Sequence, residues 1–489
     1  MSHAPRAVID IGSNTVRLVI YDGTARAPEP VWNEKVAARL GRDLSTSGRI
    51  PEDAALEALA ALARYRLLLD ELGVEDVQTV ATAAVRDAAN GQEFLSRVTD
   101  LGFAPRLLTG EEEARASAFG AIGAFPDACG LAADLGGGSL ELVKIAQGSC
   151  HEAISLPFGT LRLEAMHERA DLGTALHACL GALNIAAHRG QPLYMIGGTW
   201  RALAHYVMAR TDYPLTDPHG FSLERKQARD HCKALTKTEP SDLAHIPSIS
   251  AMRSAYLPKA AALLLALLDE TKPSHLVFSS WGLREGLLFA RLSQSQRAVD
   301  PLLAAVNAFA QMRDASVTHA TRIVGWTACL SSGTGPRTER LRLASAQLAA
   351  ALQRVEPNLR PDLATAWALD KRWIDCTPHD RALLCAALHG SLGSASLPDR
   401  VQTLAPDRDL RHALVWGYGF RLARRLGAGS ITALANSSLV IDDQAIALHL
   451  ESSRAPLATS LVQRELARLA DALGREPVVR IADTDAFVG

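Results

Sequence analysis

Two glycine-rich turns, each preceded by an apolar run that ends in aspartate, have the residue types and spacing that suggest chemistry. Ala7-Val8-Ile9-Asp10 leads into Ile11-Gly12-Ser13-Asn14, and Leu131-Ala132-Ala133-Asp134 leads into Leu135-Gly136-Gly137-Gly138-Ser139. Laid over one another, Asp10 meets Asp134, Gly12 meets Gly136, Leu18 meets Leu142 and Val19 meets Val143, the two aspartates standing 124 positions apart. Glycine lets backbone approach a ligand closely, and successive free N–H groups form a nest for phosphate oxygens. Aspartate at such a strand end can hold Mg²⁺, directly or through water, because this hard cation takes oxygen ligands. Capping of each turn by a short acceptor is the alternative reading, but turns that needed only glycine would not both need the carboxylate.

Other chemistry-bearing residues lie around these turns. Glu111, Glu112 and Glu113 are consecutive, and helical neighbours point about 100° apart, so they cannot all face one cleft. Acidic residues in a first helical turn also favour the macrodipole. Gly197-Gly198-Thr199 forms a third glycine turn, and Arg201, Arg253, Lys259 and Arg284 are cations in or near comparable segments.

The elements that must position these residues alternate. Residues 7–22 and 131–145 each predict a β-hairpin. Between them lie a helix at about 51–72, a strand at 77–82, and helices from about 90 and from 111. Later, 193–196 and 276–280 predict strands ending in glycine turns that open helices. This alternation is the α/β signature. From about Asp300 onward Ala/Leu/Arg segments predict a separate, mostly helical domain, with a terminal α+β piece around 438–450.

Composition narrows the function classes. Among 489 residues, 51 Lys and Arg face 53 Asp and Glu, a net charge of −2 that provides no bulk attraction for nucleic acid or an anionic membrane. Any anion site must therefore be local. Seven scattered cysteines without a CxxC pair argue against a disulfide framework and a zinc cluster. The N-terminus lacks the pattern of a signal peptide, and the apolar run Ala260 to Leu268 is about half the roughly 20 residues that span a bilayer. The expectation is a cytoplasmic protein.

The motifs Asp10-Ile11-Gly12-Ser13-Asn14-Thr15, residues 81–90 (ATAAVRDAAN), Gly110-Glu111-Glu112-Glu113-Ala114-Arg115, residues 134–141 (DLGGGSLE), Gly197-Gly198-Thr199 and Gly282-Leu283-Arg284-Glu285-Gly286 follow one another in order. On these the chain resembles the exopolyphosphatase and guanosine pentaphosphate phosphatase family, within the superfamily that also contains actin, sugar kinases and Hsp70. The resemblance implies an α/β fold of two actin-like (ribonuclease H-like) lobes, 1–128 and 129–298, followed at 299–489 by a mostly helical HD-like C-terminal domain. That domain resembles metal-dependent HD phosphohydrolases, yet Leu388-His389-Gly390 has glycine where a metal-binding His-Asp needs its carboxylate, and His379-Asp380 lies upstream. A second hydrolase centre is therefore not expected there.

The same resemblance assigns roles. Glu113 would be the general base on the attacking water, and Arg86 would contact the terminal phosphoryl group. Gly12, Ser13 and Asn14 match the first phosphate loop, and Gly136, Gly137, Gly138 and Ser139 the second. Asp10, Asp134 and Glu141 would serve the metal, Mg²⁺ or alternatively Mn²⁺. Thr199, Arg201, Arg253, Lys259 and Arg284 would line a channel or a nucleotide seat. Hydrolysis of a phosphoanhydride requires several oxygens to be neutralised while one water is held in line. The expected substrate is inorganic polyphosphate, with guanosine pentaphosphate (pppGpp) as the alternative and an ATP-binding switch of the Hsp70 or actin type as a rival of another class. A homodimer is expected, with the Arg and Lys side chains gathered along one internal path.

Overall fold

The computed structural model describes residues 4–163, 169–182, 188–331 and 334–482. The ends of the expected divisions, 1–3 and 483–489, lie outside the described residues. Two compact units are present, Met1–Pro301 and Leu302–Gly489.

The first unit contains two sheets. One is built from β1 (Arg6–Ile11), β2 (Val16–Gly23), β3 (Pro28–Val36), β4 (Asp76–Ala81) and β5 (Pro105–Leu107), in the order β3-β2-β1-β4-β5. The first three strands are antiparallel, and β4 and β5 continue from β1 in parallel. The other contains β6 (Gly130–Leu135), β7 (Leu140–Ala146), β8 (Ser149–Leu156), β9 (Leu193–Ile196), β10 (Ser222–Glu224) and β11 (His275–Phe278). Its order, β8-β7-β6-β9-β11, repeats that of the first sheet, with β10 added antiparallel beyond β11. Both are the α/β lobes expected of the actin-like, ribonuclease H-like architecture.

Strand periodicity explains which side chains reach the space between the sheets. Successive strand residues point to opposite faces. On β1 and β2, Ala7, Ile9, Ile11, Val16, Leu18 and Ile20 pack against the helix Glu52–Glu71 through Ala54, Ala58, Leu62 and Tyr65. Burial of each aliphatic side chain contributes about 1.5–3 kcal/mol. Val8, Val19 and Tyr21 therefore take the other face, and Asp10 and Arg17 fall in phase with them. In the second sheet Leu131, Ala133, Leu135, Leu140 and Leu142 face one core, so that Asp134 and Glu141 share the opposite face with Ala132 and Val143.

The division at 128/129 expected from the sequence does not follow the packing. Helix Gly110–Ala124 precedes that point, yet Ala114, Ala118 and Ala121 pack on Ala132 and Val143 of the second sheet. Helix Leu283–Ala290 belongs by position to the second lobe, but Leu287 and Leu288 pack with Val8, Val19 and Tyr21 of the first. The two helices also cross one another closely. A Cβ on Gly286 would lie 1.7 Å from the Ala116 carbonyl oxygen, so only glycine permits the approach. This exchange of helices joins residues 1–301 into one unit.

Helix Ala251–Thr271 is long and apolar enough by composition to cross a membrane. Here its Leu257, Ala261, Leu264 and Leu268 lie in the core of the second lobe.

The second unit is mostly helical. Its sheet joins β12 (Ser437–Ile441) antiparallel to β13 (Ala445–Glu451), with β14 (Glu476–Ala482) parallel on the other side. His389 Nε2 lies 2.9 Å from the Thr365 hydroxyl, and Asp380 accepts a 2.6 Å bond from Arg337. His379 pairs with Asp409 at 3.0 Å. Each HD-like residue thus has a structural partner.

Candidate active site

Both glycine turns close the same way. The Gly12 amide donates to the Thr15 carbonyl at 3.0 Å, and the Gly136 amide to the Ser139 carbonyl at 3.0 Å. The amides of Ser13, Asn14, Gly137 and Gly138 donate to no protein acceptor among the described residues. Backbone N–H groups are obligatory donors, so these unspent amides form two opposed nests. They line a cleft of about 220 Å³ that also receives Asp10, Glu113 and Asp134.

The three glutamates separate as helical geometry requires. Glu112 completes a capping box with Thr109: its side chain accepts from the Thr109 amide at 2.8 Å, and its own amide donates to the Thr109 hydroxyl at 3.2 Å. Glu111 pairs with Arg115 at 2.9 Å on the surface. Glu113 alone reaches the cleft. Its Oε2 accepts a 3.1 Å bond from Arg86, whose guanidinium also donates to the Leu108 carbonyl. Arg86 is not among the residues lining the cleft; its guanidinium pairs with Glu113 and, at 3.6 Å, with Asp87 rather than reaching the nests.

Burial crowds the carboxylates. It pushes the Glu113 carboxyl up to about 7; Arg86 works against this, and Asp134 and Asp10 add to it. Asp10 and Asp134 are both raised, chiefly by burial. Asp10 is partly relieved by a 3.1 Å ion pair with Arg284, and Asp134 by a hydrogen bond from the Ser117 hydroxyl. Glu141 lies outside the cleft lining, accepts a 2.9 Å bond from Ser155, and is raised strongly by burial and by repulsion from Glu113 and Asp134. Gly197, at φ +103°, is required beside this group: a Cβ there would lie 2.6 Å from Asp134 Oδ1.

Opposite these acids the cleft gathers cations. Arg17, Lys35, Arg201, Arg253 and Arg284 all line it, although Lys259 does not. Arg17 and Lys35 are direct cross-strand neighbours, an arrangement that is destabilising without a counter-charge. Burial, and after it Arg284, lowers the Arg17 pKa to about 10. Burial followed by Arg253 and Arg284 lowers Arg201 to about 9. The guanidinium groups of Arg201 and Arg253 have no ion-pair or hydrogen-bond partner among the described residues.

Behind Asp10 the network continues inward. The Tyr21 hydroxyl donates to Glu285 at 2.6 Å, and the Gly282 amide donates to the same carboxylate at 3.0 Å. Burial opposes the Glu285 charge, but Arg284, Tyr21 and the amide outweigh it and hold its pKa below the usual range. Arg284 Nε is buried without a hydrogen-bond partner among the described residues.

The donor set suits a hard cation. Among the described residues no group of three or more His, Cys, Asp or Glu side chains is arranged to cage a metal. Mg²⁺ is usually held by one or two carboxylates, with the remaining positions taken by water and substrate phosphate. Asp10 and Asp134, opposed across the two nests and both destabilised as anions, fit that pattern.

Arg17 and Lys35 escape a motif reading because polar residues alternating along a strand look like a solvent face. The overlay of the two hairpins does contain a signal for Arg17, which falls opposite Glu141. Likewise, Thr109-x-x-Glu112 is a capping-box spacing that marks Glu112 as structural.

The sequence profile of the Ppx/GppA phosphatase family matches residues 19–295 and therefore ends before the second unit begins. Retrograde regulation protein 2 of Saccharomyces cerevisiae is 29% identical over 345 residues, covering 62% of this chain and 58% of the yeast protein. Exopolyphosphatase 1 of Mycobacterium bovis is 27% identical over 302 residues, covering 58% of this chain and 87% of that protein. The crystal structure of an exopolyphosphatase from Cytophaga hutchinsonii superposes with a TM-score of 0.54 at 25% identity, covering 60% of this chain and 99% of the other.

Proposed function

This chain belongs to the Ppx/GppA phosphatase family, and from that premise we propose that it is an exopolyphosphatase releasing terminal orthophosphate from inorganic polyphosphate by direct attack of water. The observation that carries this reading is the gathering of five cationic side chains in one cleft, opposite a carboxylate whose pKa lies near neutrality.

Each group has a chemical task. The nest amides of Ser13, Asn14, Gly137 and Gly138 take the oxygens of the terminal phosphoryl group. Arg284, Arg201, Arg17, Lys35 and Arg253 supply counter-charge to the phosphates that follow. Mg²⁺, held by Asp10 and Asp134, would withdraw charge from the phosphoryl oxygens when bound. Glu113 accepts the proton of the attacking water, and a base poised near the working pH suits that task. Arg86 fixes the Glu113 carboxylate and limits the upward drift of its pKa. Attack forms the new P–O bond and breaks the bridging P–O bond, leaving orthophosphate and a chain one phosphate shorter.

One contact favours polyphosphate over a nucleoside substrate. A Cβ on Gly198 would lie 2.5 Å from the Arg253 guanidinium, which therefore covers the glycine turn where a nucleoside would sit. The same contact disfavours an ATP-binding switch. Glu113→Gln should reduce phosphate release about 10³-fold, within the range for loss of a general base, while polyphosphate binding persists. Retention of more than a few per cent of activity would overturn the assignment. Guanosine pentaphosphate offered at equal concentration separates the two substrates, and polyphosphate is expected to be hydrolysed faster.

A further inference from the structure

Residues 302–489 contain two adjoining hollows on which none of the proposed hydrolysis depends. The larger, of about 510 Å³, has an apolar lining that includes Ile323, Ala346, Ala349 and Phe420. That volume lies within the roughly 300–1,000 Å³ of small-molecule sites. The smaller, of about 350 Å³, is lined by Arg360, Arg424 and Arg425. Gln353, Arg424 and Ala428 line both, so the hollows meet at the Arg424 side chain.

Cationic charge exceeds its local partners here. Arg421 pairs with Glu465 at 2.8 Å, and Arg468 pairs with the same carboxylate. Among the described residues Arg424 has one long bond, 3.5 Å to the Ser391 carbonyl. Its pKa is lowered to about 10 by burial and then by Arg421, Arg425 and Arg360. Arg322, Arg354 and His319 also line the larger hollow, where Asp314 is the one carboxylate among the described residues. His319 Nδ1 is buried without a hydrogen-bond partner among the described residues.

A bare polyphosphate would leave the apolar hollow unfilled. A plain acyl chain would leave without a counter-anion the charges of Arg424, Arg425 and Arg360, the last hydrogen-bonded among the described residues only to the neutral acceptors of Val355 and Gln353. We propose that this two-part site binds a nucleoside polyphosphate, with base and sugar in the larger hollow and the phosphates against Arg424, Arg360 and Arg425. Binding here would be separate from turnover in the cleft, and it stands or falls independently of the substrate proposed there.

The test is calorimetric titration of the full chain with ADP and GDP, with pyrophosphate and adenosine as probes of the two halves. Saturable nucleotide binding, at least tenfold tighter than either half, is expected. Arg424→Ala should weaken it about tenfold, the size expected for one lost charge-assisted contact, and Ala350→Trp, which fills the larger hollow, by at least as much. Arg201→Ala, in the cleft, should change it less than about twofold. Absence of binding at ~1 mM nucleotide, pyrophosphate binding as tight as the nucleotide, or sensitivity to Arg201→Ala without sensitivity to the other two would each overturn the proposal. Should Arg424→Ala fail to fold, Ala350→Trp keeps the test decisive.

Discussion

The two hairpins that face each other across the cleft share a backbone and differ in charge. Asp10 is paired in register with Arg17, and Asp134 with Glu141. Both aspartates precede a turn closed by the same 3.0 Å amide bond. Around Arg17 lie Lys35 and Arg284, whereas around Glu141 lie Glu113 and Asp134. A repeated fold has thus been divided into a hairpin with cationic neighbours and one with acidic neighbours, while each keeps its own nest and its own aspartate. Each side is electrostatically uncomfortable alone, since burial removes the water that would screen like charges. What relieves the first is an anion, and what relieves the second is a cation or a proton.

The largest effect that tests this contrast is on folding. The Glu113 pKa of about 7 lies above its usual 4.5, so the folded state binds that proton more tightly than the unfolded one. Its ionisation therefore costs stability as pH rises through 7, and the cost vanishes below 4.5. With metal chelated, Glu113→Gln should raise unfolding free energy at pH 8 by on the order of 3 kcal/mol, and by nearly nothing at pH 4. Denaturant unfolding at the two pH values measures it, and an equal gain at both would break the picture of stored repulsion.

Giving the first hairpin the sign of the second comes next. Arg17→Glu should raise KM for polyphosphate about 100-fold, the cost of a lost and reversed ion contact, with a smaller change in kcat and an unmoved acid limb. A third experiment acts on the other hairpin. The smallest effect belongs to Ser117→Ala, which removes the hydroxyl bonded to Asp134. Activity should fall about tenfold, the low end for one hydrogen bond to a charged group, and higher Mg²⁺ should restore part of it.

The sequence carried the lobes well because their signals are local. Apolar runs ending in Asp10 and Asp134, followed by glycine turns, lie within a dozen residues, and the alternation of strands with helices did the rest. Glu113 was legible through a motif, and helical geometry already required Glu111 and Glu112 to look elsewhere. The other half of the site depends on long-range pairing. Lys35 matters because register places it beside Arg17, and Glu285 because it receives the Tyr21 hydroxyl from 264 positions away. Arg86 illustrates the opposite case: its motif was plain, but the contact it makes, with Glu113 and the Leu108 carbonyl, could only be read from the folded chain.

The exchange of helices between lobes bears on how this protein can be taken apart. A fragment cut at 128/129 would carry helix Gly110–Ala124 away from Ala132 and Val143, the residues it covers. Helix Leu283–Ala290 would in turn remain with a sheet that does not supply its Val8, Val19 and Tyr21 contacts. Neither piece would then hold a complete core, whereas a cut at the 301/302 boundary leaves every element of the cleft on one side.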